Sequence, residues 1–169
     1  MRSLIVIAHD IRSTHNVGSL LRTAEGMGVE RVIFTGYTPF PTLPHHDPRL
    51  PHISDKLTKD IHKTALGAES LVPWSHQPDV VQTLQMLATQ GYQIAALEQH
   101  PTSITLPAYR PPEKLAILLG REVEGIDPAL LAHCNDILEI PMFGQKESFN
   151  VVQAAAMVLY HCRFYPFSS

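Results

Sequence analysis

Residues 4–35 read LIVIAHDIRSTHNVGSLLRTAEGMGVERVIFT, and this stretch decides the fold class. The apolar run at its start predicts a buried strand, and residues 31–35 at its end predict a second one. Between the two strands, glycines at 26 and 28 mark the end of a helix. The apolar residues of that helix recur at helical spacing: Val17, Leu20, Leu21 and Ala24.

The same alternation of strand and helix continues to the end of the chain. We predict strands at 69–73, 92–97, 115–119 and 137–140, and helices at 58–67, at 79–90, from Asp127-Pro128 onwards and along 151–162. We expect 37–57 to be a long surface excursion with little regular structure, and 101–112 to be a proline-containing link. The alternation predicts an α/β fold with a mainly parallel sheet flanked by helices, whose ligands gather at the carboxyl ends of the strands.

Length and composition predict one domain over residues 1–169, with no separate RNA-binding extension. No apolar run is long enough to span a bilayer and no leader is visible, so we expect a cytoplasmic protein that does not enter a membrane. The formal net charge is −3, which is unlike a non-specific nucleic-acid binder. Any surface that binds a polyanion must therefore be local, or assembled from two chains.

Three separated segments could carry chemistry. The first is HNVGSLLRT, residues 15–23, where we expect Gly18 and Arg22 to share a polar side of the helix and Asn16 to cap it. Without a side chain, Gly18 would let a ligand or a second backbone approach. Taken alone, an exposed arginine with an asparagine cap is more often a solvated helix face.

The second segment is LLGREVEGI, residues 118–126, a strand followed by a turn bracketed by glycines. It matches neither a phosphate-binding P-loop nor a dinucleotide fingerprint, and the glycines could serve only the turn. The third is IPMFGQKESFN, residues 140–150, where a strand end leads through a polar loop into the last helix. In the simplest account Ser148 is only the N-cap of that helix, yet two polar side chains, Ser148 and Asn150, lie where a helix N-terminus offers positive potential.

A histidine-rich stretch at 45–52 matches no zinc-binding spacing, so we predict no metal site there. Basic residues outnumber acidic ones between His45 and Thr64. This region could face RNA phosphates, or it could be an ordinary solvated surface.

Together the three segments resemble the signature blocks of the SpoU–TrmH family of RNA methyltransferases, within the SPOUT superfamily. The matching residues are Asn16-x-Gly18-x-x-x-Arg22, then Leu119-Gly120-x-Glu122-x-x-Gly125-Ile126, then Ile140-Pro141-Met142 followed by Ser148-x-Asn150-Val151. The resemblance extends from Leu4 to about Tyr160. Phe149 stands where the family usually has leucine, and Val152-Gln153 also departs from its pattern.

The resemblance implies a SPOUT-like sheet with a deep C-terminal trefoil knot, S-adenosyl-L-methionine as cofactor, and a homodimer with shared active sites. It assigns cofactor binding to five positions: Leu97, Glu98, Gly120, Ile140 and Phe149. It makes Arg22 the catalytic arginine and surrounds it with four polar residues: Asn16, Glu122, Ser148 and Asn150.

The implied reaction is methylation of an RNA ribose 2′-hydroxyl, on tRNA in preference to rRNA. Two alternatives remain at this point. One is a catalytically silent RNA-binding module of the same fold, which the intact polar residues argue against. The other is an unrelated α/β nucleotide enzyme, which the absent phosphate-binding motifs argue against.

Overall fold

The computed structural model describes residues 1–167 and contains one sheet of seven strands, every adjacent pair of which is parallel. The strands are β1 (Ser3–His9), β2 (Arg31–Thr35), β3 (Trp74–Gln77), β4 (Gln93–Leu97), β5 (Ile104–Thr105), β6 (Lys114–Leu119) and β7 (Asp136–Glu139). The helices are α1 (Thr14–Gly26), α2 (Pro51–Ala65), α3 (Val80–Thr89), α4 (Pro128–Leu131) and α5 (Val151–Phe164). The predicted α/β fold with a mainly parallel sheet is confirmed.

The strand order is β3-β2-β1-β6-β4-β7-β5, so β1 and β6 lie side by side near the centre. Ala8 is in register with Phe34 of β2 and with Leu119 of β6. On the other side of β6, Leu97 at the end of β4 is in register with Leu138 of β7. This register brings the carboxyl ends of the strands to one edge of the sheet, where the connecting loops form sites.

Helices cover both faces of the sheet. The face covered by α1, α2 and α5 and the face covered by α3 and α4 each have their own cluster of buried apolar side chains. The strands are therefore buried on both sides, which explains why they are almost continuous apolar runs in the sequence.

Helix α1 differs in two details from the sequence prediction. Ser13, not Asn16, is the N-cap, and its hydroxyl accepts a hydrogen bond from the Asn16 N–H at 3.2 Å. Gly18 is buried and does not share a polar side with Arg22. A Cβ at Gly18 would overlap the Ile61 carbonyl of α2, so the second backbone that this glycine admits is a neighbouring helix.

Three predicted boundaries were wrong. Helix α2 begins at Pro51, inside the expected excursion 37–57, because a proline at the first position fits a helix N-terminus. The strand expected at 69–73 is a 3-10 turn over Ala68–Ser70, and β3 follows it with Trp74 packed against Phe34. The expected link 101–112 contains the short strand β5 and a 3-10 turn over Leu106–Ala108.

Two arginines fasten the end of the chain to its beginning. The buried Arg2 guanidinium donates to the carbonyls of Cys162, Tyr165 and two further residues. In return, Arg163 donates to the Arg2 carbonyl at 2.6 Å. Helix α5 is thereby held at the amino end of β1. No helix within residues 1–167 combines the length and apolarity needed to cross a bilayer.

Candidate active site

A cavity of about 470 Å³ opens at the carboxyl edge of the sheet, among the ends of β4, β6 and β7 and the start of α5. The strand ends after residues 119 and 140 therefore share one cavity. It is lined by all five predicted cofactor positions: Leu97, Glu98, Gly120, Ile140 and Phe149. Three of the predicted catalytic residues also line it: Glu122, Ser148 and Asn150.

The turn after β6 forms one wall of the cavity, and Arg121 and Gly125 close it. Arg121 and Gly125 exchange two backbone hydrogen bonds, of 3.2 and 3.1 Å. Gly125 has a φ of 71°, where glycine is favoured, and a Cβ there would overlap the Glu98 carboxylate. That carboxylate accepts the Ile126 N–H at 2.9 Å and the Gln99 N–H at 2.8 Å. Glu98 therefore helps to hold the turn in place.

Glu122 joins this turn to the start of α1. Its carboxylate accepts the side-chain amide of Asn16 at 3.2 Å and the backbone N–H groups of Arg12 and Ser13, both at 3.4 Å. Partial burial is the largest influence on the pKa of Glu122 and would raise it. The hydrogen bonds outweigh this effect and hold the pKa below its ordinary value. Glu122 is therefore an ionised, fully engaged anchor at neutral pH rather than a proton donor.

Asn150 connects α1 to α5. It is the N-cap of α5, with its side-chain oxygen accepting the Val152 N–H at 2.9 Å, so the simplest account, in which Ser148 is the cap, was wrong. The Asn150 amide donates to the side-chain oxygen of Asn16 at 3.3 Å. A chain of hydrogen bonds thus runs from Glu122 through Asn16 to Asn150, and it joins residues from all three sequence segments.

Arg22 does not line this cavity. It lies in α1 and is exposed, six residues after Asn16. Six residues correspond to about 9 Å along a helix and roughly 120° around it, so Arg22 faces away from the hydrogen bonds of Asn16. Its catalytic role stays a prediction.

The cavity also has a negative balance that sequence reasoning missed. Four acidic residues line it, and the only basic residue among the lining residues is Arg121. Two of the acids, Glu139 and Glu147, were not singled out, although each lies beside a predicted site residue in the sequence. Their positions in the sequence could have identified them, since Glu139 lies at a strand end and Glu147 lies near the start of a helix. Such a lining suits a ligand that carries positive charge better than a polyphosphate.

The family of SpoU rRNA methylases matches residues 48–160 of the chain. The 23S rRNA (guanosine-2′-O-)-methyltransferase RlmB of Neisseria meningitidis serogroup B is 32% identical over 163 residues, which are 95% of this chain and 58% of that protein. An AdoMet-bound rRNA methyltransferase from Sinorhizobium meliloti has a similar structure, with a TM-score of 0.81 and 20% identity over 98% of this chain and 57% of the other. The A. aeolicus TrmH/SpoU tRNA modifying enzyme has a TM-score of 0.77 and 21% identity, over 96% of this chain and 75% of the other.

The fold, a parallel sheet flanked by helices, matches the folds of these two solved methyltransferase and tRNA modifying enzyme structures. The chain belongs to the SpoU–TrmH family of RNA methyltransferases, as the matched family and the relatives show. It spans little more than half the length of curated relatives such as the Neisseria protein. Family membership removes the unrelated nucleotide enzyme from the alternatives.

Proposed function

We propose that the chain is an S-adenosyl-L-methionine-dependent RNA 2′-O-ribose methyltransferase that acts as a homodimer with shared active sites. The observation that carries this proposal is the single cavity into which the predicted cofactor positions converge, with Glu122 linked there to Asn16 and Asn150. When bound, the cofactor supplies a methyl group already activated for transfer. The chain must then bind the cofactor, orient the ribose and manage its proton.

The cavity fits this cofactor in size and in charge. Its volume lies in the range of about 300 to 1,000 Å³ that is usual for small-molecule sites. The excess of acidic residues favours a sulfonium cation, and apolar side chains at the strand ends can cover an adenine ring. Backbone groups of Leu97, Gly120 and Ile140 would hold the cofactor, with Phe149 at the mouth.

The polar residues divide into anchors and free groups. Glu122, Asn16 and Asn150 are engaged with one another and with two helix starts, so they position the walls of the cavity. Ser148 is exposed and its hydroxyl has no hydrogen-bond partner within residues 1–167. Of the predicted catalytic residues that line the cavity, Ser148 is therefore the one that is free to meet substrate.

We assign Arg22 to the active site of the partner subunit. Within its own chain it points away from the cavity, it is exposed, and no ion pair holds it within residues 1–167. An arginine has a pKa above about 12 and is a poor base. Arg22 would instead act with an RNA phosphate to orient and polarise the 2′-hydroxyl, which raises the rate through alignment.

For the RNA surface, we favour the exposed side of α2. His52, Lys56, Lys59 and Lys63 are exposed and fall within one narrow stripe at helical spacing. Arg49 does not belong to this surface, because its guanidinium is held by Asp47 and by the carbonyls of Phe40 and Pro41.

We propose transfer RNA as the substrate, as the resemblance implied. Ribosomal RNA is the alternative, and the Neisseria 23S rRNA methyltransferase is the relative that favours it.

We also propose the remaining features that the sequence predicts. These are a single catalytic domain over residues 1–169, a cytoplasmic location, and a C-terminal knot in which the chain from β7 to α5 passes through the loop after β4. The knot is supported by a contact between these segments, where the Gln99 amide donates to the Glu147 carbonyl at 2.7 Å.

Calorimetry with S-adenosyl-L-methionine, followed by tritiated methyl transfer to bulk tRNA and rRNA, tests the function. We expect binding and transfer to at least one of the two RNA pools. Binding without transfer to either pool would identify the silent RNA-binding module instead. Absence of cofactor binding would reject the proposal altogether.

Arg22→Ala tests the shared site. The variant should lose turnover and keep cofactor binding, because Arg22 does not line the cavity of its own chain. Mixed dimers of Arg22→Ala and Ser148→Ala subunits should regain activity if each site takes Arg22 from one chain and Ser148 from the other. Unchanged turnover of Arg22→Ala, or inactive mixed dimers, would refute the assignment.

A further inference from the structure

A second cavity, of about 280 Å³, lies on the other side of the 120–125 turn. Its apolar wall is formed by Val80 of α3 and Leu130 of α4, which cover the opposite face of the sheet from α5. Arg121 and Gly125 line both cavities. The two cavities are therefore separated by a single turn of backbone.

The floor of the second cavity is built from the end of β1, which is held against the end of β2. The two ring nitrogens of His9 lie 2.9 Å from the Thr35 hydroxyl and 3.3 Å from the Asp10 carboxylate. The other oxygen of Asp10 accepts the Tyr37 N–H at 3.0 Å. Asp10 has a φ of 54°, a left-handed conformation that costs free energy in a residue other than glycine. Gly36 accommodates it, since a Cβ there would overlap the Asp10 carboxylate.

Arg121 provides the donor groups of this cavity. Its guanidinium has no hydrogen-bond or ion-pair partner within residues 1–167. Burial lowers the pKa of the neighbouring His9 imidazole; the Asp10 carboxylate opposes this effect, and the Arg121 charge adds to it. Asp10 and Asp127 line the same cavity, and Asp127 caps α4 with one oxygen, which accepts the Ala129 N–H at 2.8 Å. The cavity thus combines a free planar donor, an apolar wall, and two carboxylates, of which Asp127 has one oxygen without a partner within residues 1–167.

These groups together favour one part of an RNA, the nucleobase, over another, the phosphate. A phosphate would meet the arginine but would be repelled by two carboxylates. A nucleobase has flat apolar faces and an edge that carries both donors and acceptors, and proteins read such edges with arginine and carboxylate groups. The single-turn separation also suits one nucleotide, whose base and 2′-oxygen are only a few bonds apart.

We propose that the second cavity receives the base of the nucleotide that is methylated, with its ribose over the turn beside Glu122. The inference rests on the proposed function, because it needs an RNA substrate whose ribose reacts at the first cavity. It assigns Arg121 a role in choosing the target base.

The test replaces Arg121 with methionine, which keeps the aliphatic stem and removes the donors. Methyl transfer onto bulk tRNA and rRNA is measured with S-adenosyl-L-methionine, and the four 2′-O-methylnucleosides are quantified after digestion. We expect kcat/KM to fall about 10- to 100-fold, as for the loss of a pair of base contacts, and the preference among the four bases to weaken. The dissociation constant of the cofactor should stay within a factor of about two of the wild-type value.

Two further variants make the result specific. Ala129→Phe fills the cavity from α4 without removing a charge, and it should raise KM for RNA more than it lowers kcat. Arg110→Met is the matched control, since Arg110 is exposed and lines neither cavity, and it should behave as wild type.

Unchanged base preference and kcat/KM in Arg121→Met would overturn the inference while leaving the proposed function intact. Weaker cofactor binding in parallel with lost transfer would also overturn it, because Arg121 would then serve the first cavity. If the wild type itself transfers no methyl group to either RNA pool, the proposed function fails and the inference fails with it.

Discussion

Glu122→Gln should weaken both the fold and the reaction, since this carboxylate ties the 120–125 turn to α1. The substitution preserves size but leaves one acceptor oxygen where the carboxylate had two, facing three donors. These hydrogen bonds are 3.2 to 3.4 Å long and partly exposed, so we place each at the low end of the range, about 0.5 kcal/mol. A glutamine oxygen in the place of Oε1 keeps Asn16 and Ser13, so only the Arg12 hydrogen bond is lost, while the other two weaken because the charge is gone. Together these losses cost about 1 kcal/mol, or a fall in Tm of about 2 to 4 °C for a chain of this length.

The pH dependence of this loss has a definite sign. The folded state holds the pKa of Glu122 below its ordinary value, so the carboxylate stabilises the fold fully above that ordinary value. The stabilisation disappears as the pH falls through the lower pKa of the folded state. The stability difference between wild type and Glu122→Gln should therefore be largest at neutral pH and shrink as the pH falls below the ordinary range of glutamate.

Thermal and urea unfolding at several pH values measure this difference, and methyl transfer measures the second effect. A turn displaced by about 1 Å can lower turnover on the order of 100-fold, so kcat should fall much more than cofactor affinity. Glu124→Gln is the matched control, since Glu124 lies in the same turn but makes only an exposed ion pair, 3.9 Å from Arg12. Equal stability and equal turnover of the two variants would refute the role assigned to Glu122.

The glycines and a buried cysteine lead to three further predictions. Gly125→Ala should destabilise the fold by about 1 to 2 kcal/mol because of its positive φ, and weaken cofactor binding measured by calorimetry. Gly144→Ala, which meets open space, should change neither quantity. Gly18→Ala should lower the free energy of unfolding in urea by about 1 to 3 kcal/mol, because the added methyl group pushes α1 away from α2. Gly26→Ala in the same helix meets open space and should cause no such loss. Equal effects of the two substitutions would contradict the close packing at Gly18. Burial raises the pKa of the Cys162 thiol to about 12, so iodoacetamide at about pH 8 should alkylate Cys162 only after denaturation, as mass spectrometry can check.

The elements that were predictable from sequence are those whose burial is uniform. Strands β1 and β6 are covered on both faces and are therefore continuous apolar runs, and α3 has a capping Asp79 and a periodic apolar side. The edge strand β3 carries Trp-Ser-His-Gln, which has no apolar run, whereas Leu71-Val72 just before it looked like a strand. Strand β5 has two residues and is defined only by its pairing with β7.

The parts of the site that lie within continuous sequence motifs were predictable. The glycine-bracketed turn and the polar start of α5 were visible, and the structure brings them together. Which side chain caps which helix was not visible, because Ser13, Asn16, Ser148 and Asn150 are all residue types that can cap. The second cavity was missed because His9 and Arg121 are 112 positions apart in sequence and meet only through the pairing of β1 with β6.

The exchange of hydrogen bonds between Arg2 and the last turns of α5 has a practical consequence. It brings both ends of the described chain together at the amino end of β1, a strand of seven residues and thus about 23 Å long. The cavities open at the far end of that strand. An affinity handle, a surface tether or an additional domain joined at either end would therefore leave the entrance for donor and RNA uncovered.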